Sequence, residues 1–557
     1  MNNTTYMGME IAMRGLYSAQ RGMANVAHNI DNASTPGFSR QVINQTAARP
    51  LLVANSAGML GMGSDVVSVD RMRDNYLDEK YWSESQYLGE WSVKNTIIGD
   101  MQAIYNEPSD NGYTKIISDF YAGLQILSTD PSDLSARAMV KERGIAVAQY
   151  FNGVASNFDH LQDDLNNMVN AKVEEINNLA DQIKDLNLQI YNFEVMGNKA
   201  NDLRDRRGYL VDKLSRLVNS SAYEVETGLK LPNGEKETRF VVTISGKALV
   251  DHEKSVHLKV ESRETNLNEE DIDNLYEVSW ADGNKLNLKS GELKAYIDMR
   301  DGNDGIPGLN GKDTPGTKGI PYYQRKMNEF VRTFAMSFNE GIMDTDGDGT
   351  LDKAMGHIDG YTLNSAEGDD PSGIRFFAIK DEYGQYMSSA NFESHALQYA
   401  AQMGIDDDPS TPFDERLVAG YQSITARNFS ISFDIDANPS NNLSASSRPG
   451  EVGNNENLYN LIQMRHNTFM FMEGAPEDYI KTLVSSMGVD GQQYEQYLSI
   501  QEGITTQLEN RRQSISGVSL NEEMTNLVKY QQIYGAAATM IKTYGEVLDI
   551  LVNRMGI

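Results

Sequence analysis

The stretch from Ser516 to Met555 constrains this chain more than any other. After the turn Ser516-Gly517-Val518 comes Ser519-Leu520-Asn521-Glu522, a hydroxyl residue with a glutamate three positions on. That spacing predicts a capping box, with Ser519 accepting from a free backbone N–H and Glu522 reaching back. Beyond it, Leu520, Met524, Leu527, Gln531, Tyr534, Ala538, Ile541, Gly545, Leu548, Val552 and Met555 recur in alternating steps of four and three. A narrow apolar seam kept up over five heptads predicts a helix roughly 50 Å long that pairs with another helix.

The same stepping occurs at the other end of the chain, in Met9, Met13, Leu16, Gln20, Met23, Ala27 and Ile30. Gln20 interrupts this seam as Gln531 interrupts the other, so the two glutamines are expected to meet and fix the register. The alternative is two unrelated amphipathic helices, each packed on its own core. Thr35 before Pro36 is pushed out of the α region and ends the first helix. If the seams bury their residues between neighbouring copies, Leu527 faces water in a lone chain and both ends are mobile there.

Residues 24–41, Ala-Asn-Val-Ala-His-Asn-Ile-Asp-Asn-Ala-Ser-Thr-Pro-Gly-Phe-Ser-Arg-Gln, resemble the N-terminal signature of flagellar rod, hook and hook-associated axial proteins. Ser39, Arg40 and Gln41 after Phe38 favour the hook-associated protein 1 family. Ser516 to Glu523, with Lys529-Tyr530-Gln531-Gln532, resembles that family's C-terminal motif, and residues 201–207, Asn-Asp-Leu-Arg-Asp-Arg-Arg, a motif of its middle. Asn521 stands where the family usually has aspartate, and Tyr544-Gly545-Glu546 replaces an alanine-rich run. The resemblance implies a structural protein that self-associates in a ring at the hook tip. Its implied partners are the hook protein, a second junction protein at the filament base and an export chaperone. It also implies an extracellular place on the flagellum, reached by type III export without a cleaved signal.

A net charge of −30 and a pI near 4.6 argue against nucleic-acid or anionic-membrane partners. There is no cysteine, which removes disulfides, thiolate metal sites and cysteine nucleophiles together. The N-terminus has no basic region followed by an apolar one, and no apolar run reaches membrane-spanning length, so no membrane insertion is expected.

Along the chain the pattern predicts a mainly α, nested multidomain protein with two inserted, mainly β regions. Residues 1–70 and 515–557 form the terminal coiled-coil domain. Residues 71–218, 289–342 and 454–514 form an inner helical domain, broken near 107–112, 129–131 and 487–491. From Phe158 to Phe193 the apolar spacing takes three four-steps around Val169, a stutter in a heptad pattern. Residues 219–288 alternate with period two between turns such as Asn233-Gly234 and Ser245-Gly246, a small β insertion. Residues 343–453 form the outer insertion, with strands expected near 374–379 and 429–433.

The seven histidines show no H-E-x-x-H pair and no G-x-S-x-G elbow accompanies them, so no enzyme is expected. A secreted enzyme with its site in residues 343–453, or a hook or distal rod protein, are the alternatives. One loop points to metal: Asp344, Asp346, Asp348 and Asp352 fall at positions 1, 3, 5 and 9 of a calcium loop with Gly349 at 6. Met355 occupies position 12, where a bidentate glutamate would sit, so the loop reads either as a weak calcium site or as a solvated acidic turn. No other cofactor is expected.

Overall fold

A computed structural model describes residues 4–52, 59–105, 109, 112–230, 236–407, 411–550 and 552. Met555, the Asn233-Gly234 turn and most of the break at 107–112 lie outside the described residues. The architecture is mainly helical with small antiparallel sheets. The N-terminal helix Thr4–Asp31 and the C-terminal helix Leu520–Asp549 lie side by side. The first stops before the Asn32–Gly37 turns and leads into a hairpin, Gln41–Ala47 paired with Ser64–Arg71.

The body below is organised by the helix Leu134–Val195, 62 residues and roughly 90 Å long. Its first half, from Ala136 to Leu165, buries its apolar face in one core with Phe120, Phe330 and Phe377. Its second half, from Val169 to Ile190, faces another core with Leu214, Val242 and Trp280. The stutter lies at this hand-over, because a helix serving two cores must rotate its apolar stripe between them. Buried polar groups mark the change: Gln162 Nε2 donates to the Arg300 carbonyl at 3.0 Å and Asn166 Oδ1 accepts from the Tyr276 amide at 2.8 Å.

The strands Ser220–Lys230, Lys236–Ile244, Lys247–Asp251 and Lys254–Ser255 form a four-stranded antiparallel sheet in chain order, and Leu258–Ser262 pairs with Tyr276–Trp280. Residues 343–453 depart from the expected mainly β insertion. Among the described residues this region holds the short strand pair Phe377–Ile379 and Phe429–Ile431 alongside the helices Ser389–Met403 and Glu415–Gly420. Phe376, Phe377 and Phe429 enter the first core, with Phe376 5.7 Å from Phe120 and Phe429 6.1 Å from Phe151. The strands expected near 374–379 and 429–433 thus form, and their aromatics also plug this region into the helical body.

The expected break at residues 487–491 is absent, and one helix runs from Pro476 to Ser516 along Asn75–Tyr105. Gly491 serves close packing there: a Cβ on it would lie 2.8 Å from Gln102 Nε2. Among the described residues, no helix is long and apolar enough to cross a membrane.

Candidate functional site

The terminal helices pair antiparallel in a strict heptad register. Gly8 faces Tyr544, Gly15 faces Ala537 and Gly22 faces Tyr530, each step of seven on one helix answering a step of seven on the other. The next step brings Asn29 to Glu523, with Asn29 Nδ2 donating to Glu523 Oε2 at 3.2 Å. Between the glycines, Ala12, Ala19 and Val26 are buried. The contact seam of the N-terminal helix is therefore Gly8, Ala12, Gly15, Ala19, Gly22, Val26 and Asn29, one residue before each expected position. Small residues let the backbones approach and the tyrosine rings insert between them.

This displacement corrects the expected set of contacts. Met13 is exposed, and Leu16, Met23 and Ile30 are half-buried. On the C-terminal helix Leu527, Ile541 and Leu548 are half-buried on the pairing side, while Leu520, Met524, Tyr534 and Val552 are exposed. Leu527 thus does not stand free in water in the single chain. Gln20 and Gln531 are both exposed and do not set the register; Asn29 and Glu523 hold the polar step of the seam.

The three segments that resemble the flagellar family converge at this end of the pair. Asn29 closes a two-way bond with Gln41, its Nδ2 donating to the Gln41 carbonyl at 2.9 Å and its Oδ1 accepting the Gln41 amide at 2.9 Å. Gln41 Nε2 donates to Asp202 Oδ1 at 2.6 Å. Ser39 gives Asp205 both its amide and its hydroxyl, each at 2.8 Å, and Arg71 adds a contact at 2.9 Å. Burial outweighs Asp205 at Arg71 and lowers its pKa.

Arg40 carries the link to the C-terminal motif. Its Nε donates to Glu523 Oε1 at 2.8 Å, its terminal nitrogen meets Glu522 Oε2 at 3.0 Å, and its amide donates to the Ser516 carbonyl at 2.8 Å. Glu523 is 2% exposed. The expected capping box does not form: Ser519 is the N-cap without a side-chain bond, because the guanidinium recruits the carboxylates instead. Arg512 extends the network to Asp78 and Asp212, each at 2.9 Å. Burial works against the charge on Arg512, but Asp212, Asp78 and Glu509 outweigh it and raise its pKa. A groove of about 870 Å³ opens beside the clasp, between the 33–38 loop, Tyr81, Tyr209 and residues 514–519. Periodicity could not find Asn29, Arg40, Asp205 or Glu523; their presence inside the three motifs was the available signal.

In the acidic loop, Asp344, Asp346 and Asp348 offer carboxylate oxygens within 4.8 Å of one another. Asp352 is not among them, since its Oδ2 accepts from the Thr345 amide and hydroxyl. Asp344 also accepts from the amides of Gly347 at 2.6 Å and Gly349 at 3.0 Å, which closes the turn.

Two families match the chain: residues 98–355 fit the flagellar hook-associated protein FlgK helical domain, and residues 510–555 the flagellar basal body rod FlgEFG protein C-terminal domain. Both are parts of flagellar axial proteins. Flagellar hook-associated protein 1 of Bacillus subtilis is 26% identical, with 100% of this chain and 99% of the relative covered. The protein of that name from Escherichia coli is 24% identical over 97% of this chain and 98% of its own length. The solved flagellar hook junction protein FlgK from Burkholderia pseudomallei shares the fold, with a TM-score of 0.52 at 14% identity, covering 79% of this chain and 100% of that one. The matched helical-domain model and the full-length relatives support the flagellar hook-associated protein 1 (FlgK) family as the one this chain resembles.

Proposed function

We infer that the chain is a structural subunit joining the flagellar hook to the filament, and that copies of it assemble as a ring at the hook tip. The observation that carries the assembly is the terminal pair. Its helices close on each other through glycines and tyrosines, yet Met13 and Tyr17 on one and Leu520, Met524 and Val528 on the other stay exposed. Faces that apolar are uncommon on a monomer and mark an association surface. The clasp at Arg40 and Glu523 sets how this pair sits on the helical body, so its role is mechanical rather than catalytic. The hook protein below and a second junction protein above are the partners this position gives it. The subunit reaches the hook tip through the flagellar type III route, uncleaved and accompanied by an export chaperone.

Immunogold labelling of intact flagella is expected to place the chain at the hook–filament boundary. A strain lacking it should build hooks but release filament subunits into the medium. Label along the hook or below it would instead make it a hook or distal rod protein, a reading to which the rod-type match at residues 510–555 lends support.

Calcium at Asp344, Asp346 and Asp348 belongs to the same reading as a stiffener of the outer region. The side-chain amide of Asn467 donates to the Asp344 carbonyl at 2.9 Å, so the loop is anchored to the segment leading back into the helix Pro476–Ser516.

A further inference from the structure

The start of the C-terminal helix carries a complete capping box in its sequence, and the structure leaves that box open. Ser519 has the extended backbone of an N-cap, with φ −88° and ψ 108°, but its side chain accepts no bond. Glu522 stands at the third helical position, from which a carboxylate reaches back to the N-cap amide. Among the described residues, the amides of Ser519 and Glu522 have no acceptor, while the Glu523 amide already donates to the Ser519 carbonyl at 3.0 Å. Two donors at the helix end are left to water although the glutamate that could close the box is present.

Arg40 draws that glutamate away. It straddles the three-residue link, Gly517 to Ser519, between the last two helices. On one side its amide donates to the Ser516 carbonyl at 2.8 Å. On the other its guanidinium meets Glu522 at 3.0 Å and Glu523 at 2.8 Å. The two carboxylates differ in freedom. The Glu523 side chain is 2% exposed and is also held by Asn29, so it is fixed in the seam. The Glu522 side chain is 62% exposed, with Arg40 as its side-chain partner among the described residues. An ion pair that open to water stabilises by no more than an N-terminal cap does. The two uses of Glu522 are therefore closely matched.

We propose that Glu522 is a latch that exchanges between the Arg40 guanidinium and the Ser519 cap, while the buried Arg40–Glu523 pair stays closed as the pivot. When the terminal pair rocks on that pivot, Glu522 leaves Arg40 and the box closes. Ser519 Oγ then accepts the Glu522 amide, and the Glu522 carboxylate accepts the Ser519 amide. What the joint loses as an exposed ion pair it regains as a cap. The two positions thus lie close in free energy, which a two-position joint requires. The exchange belongs to the single chain and does not depend on the junction reading.

Hydrogen exchange at the Glu522 amide of the full-length chain reads the latch. In the wild type at low salt this amide should be nearly unprotected. Raising the salt to roughly 0.5 M screens the exposed pair more than the buried one. The box should then close and slow the exchange about threefold to fivefold. Arg40→Ala should slow it about fivefold at low salt, although a contact has been removed. Ser519→Ala should abolish the slowing in both cases and change nothing in the wild type at low salt. The salt arm uses the intact chain, so it decides the matter even where Arg40→Ala frays the helix end. Exchange that fails to slow at high salt, or slowing that survives Ser519→Ala, overturns the latch.

Discussion

Gly22 lies against the ring of Tyr530 so closely that a Cβ on the glycine would stand 2.5 Å from a ring carbon and 2.7 Å from the carbon at the ring's root. A contact at the root of the ring cannot be relieved by a swing of its tip. Gly22→Ala should therefore force the terminal helices apart at a cost of about 1–3 kcal/mol. Gly15 faces the methyl of Ala537, with 3.8 Å left for an added Cβ. Gly15→Ala fits that space and gains about 0.5–1 kcal/mol of helix propensity. Hydrogen exchange across residues 4–31 should thus slow in Gly15→Ala and quicken in Gly22→Ala. The same direction of change in both variants would contradict the register.

Arg40 of the N-terminal loop pairs with two carboxylates of the C-terminal motif, the exposed Glu522 at 3.0 Å and the buried Glu523 at 2.8 Å. Removing the arginine leaves a carboxylate 2% exposed with Asn29 as its remaining side-chain partner among the described residues. Arg40→Ala should weaken the attachment of the terminal pair by about 3 kcal/mol, and Glu523→Gln by less, since the amide still bonds. Limited proteolysis should then cut near residues 32–40 and 517–519 while the helical body stays intact. A double variant no worse than Arg40→Ala would confirm that the two act as one unit, and fully additive losses would separate them.

Most of the helical layout was legible from spacing alone. The stop before Pro36, the stutter at Val169 and the start of the sheet near Ser220 all follow from local chemistry that tertiary packing reinforces. The seam was misplaced by one residue because large apolar side chains marked the neighbouring face, whereas the true contact uses glycine and alanine, which carry no hydrophobic signal. Glu523 and Arg40 were invisible for a similar reason, as a buried ion pair looks like two surface charges until its partner is known. In the 343–453 region the strands Phe377–Ile379 and Phe429–Ile431 follow the aromatic pattern, whereas the helices Ser389–Met403 and Glu415–Gly420 gave no comparable signal.

Calcium should bind the loop of Asp344, Asp346 and Asp348 with an affinity on the order of 1 mM, because three carboxylates converge while Asp352 turns to Thr345. Titration calorimetry of the full chain should show heat that Asp346→Ala with Asp348→Ala removes. A flat isotherm up to about 10 mM calcium would reject the site.

His357 and Glu270 should give this protein two opposed pH dependences of stability. His357 is fully enclosed: its Nδ1–H donates to the Ile374 carbonyl at 2.7 Å and its Nε2 accepts the Ser444 amide at 3.0 Å, which fixes the neutral ring. Burial pushes its pKa down from 6.5 to about 4. Its stabilisation is complete above pH 6.5 and is lost as pH falls toward 4, because the unfolded chain takes up the proton first. Glu270 is driven the other way, from 4.5 up to about 7, mainly by burial and then by Glu269. Its stabilisation is complete below pH 4.5 and is lost as pH rises toward 7. Each amounts to roughly 3 kcal/mol across its window, so the two slopes largely cancel where they overlap. Denaturant melts of the wild type should change little between pH 5 and 6.5, within that overlap. Over the same range His357→Gln should lose stability as pH rises, and Glu270→Gln as pH falls. Parallel curves for the wild type and both variants would show that neither group titrates with folding.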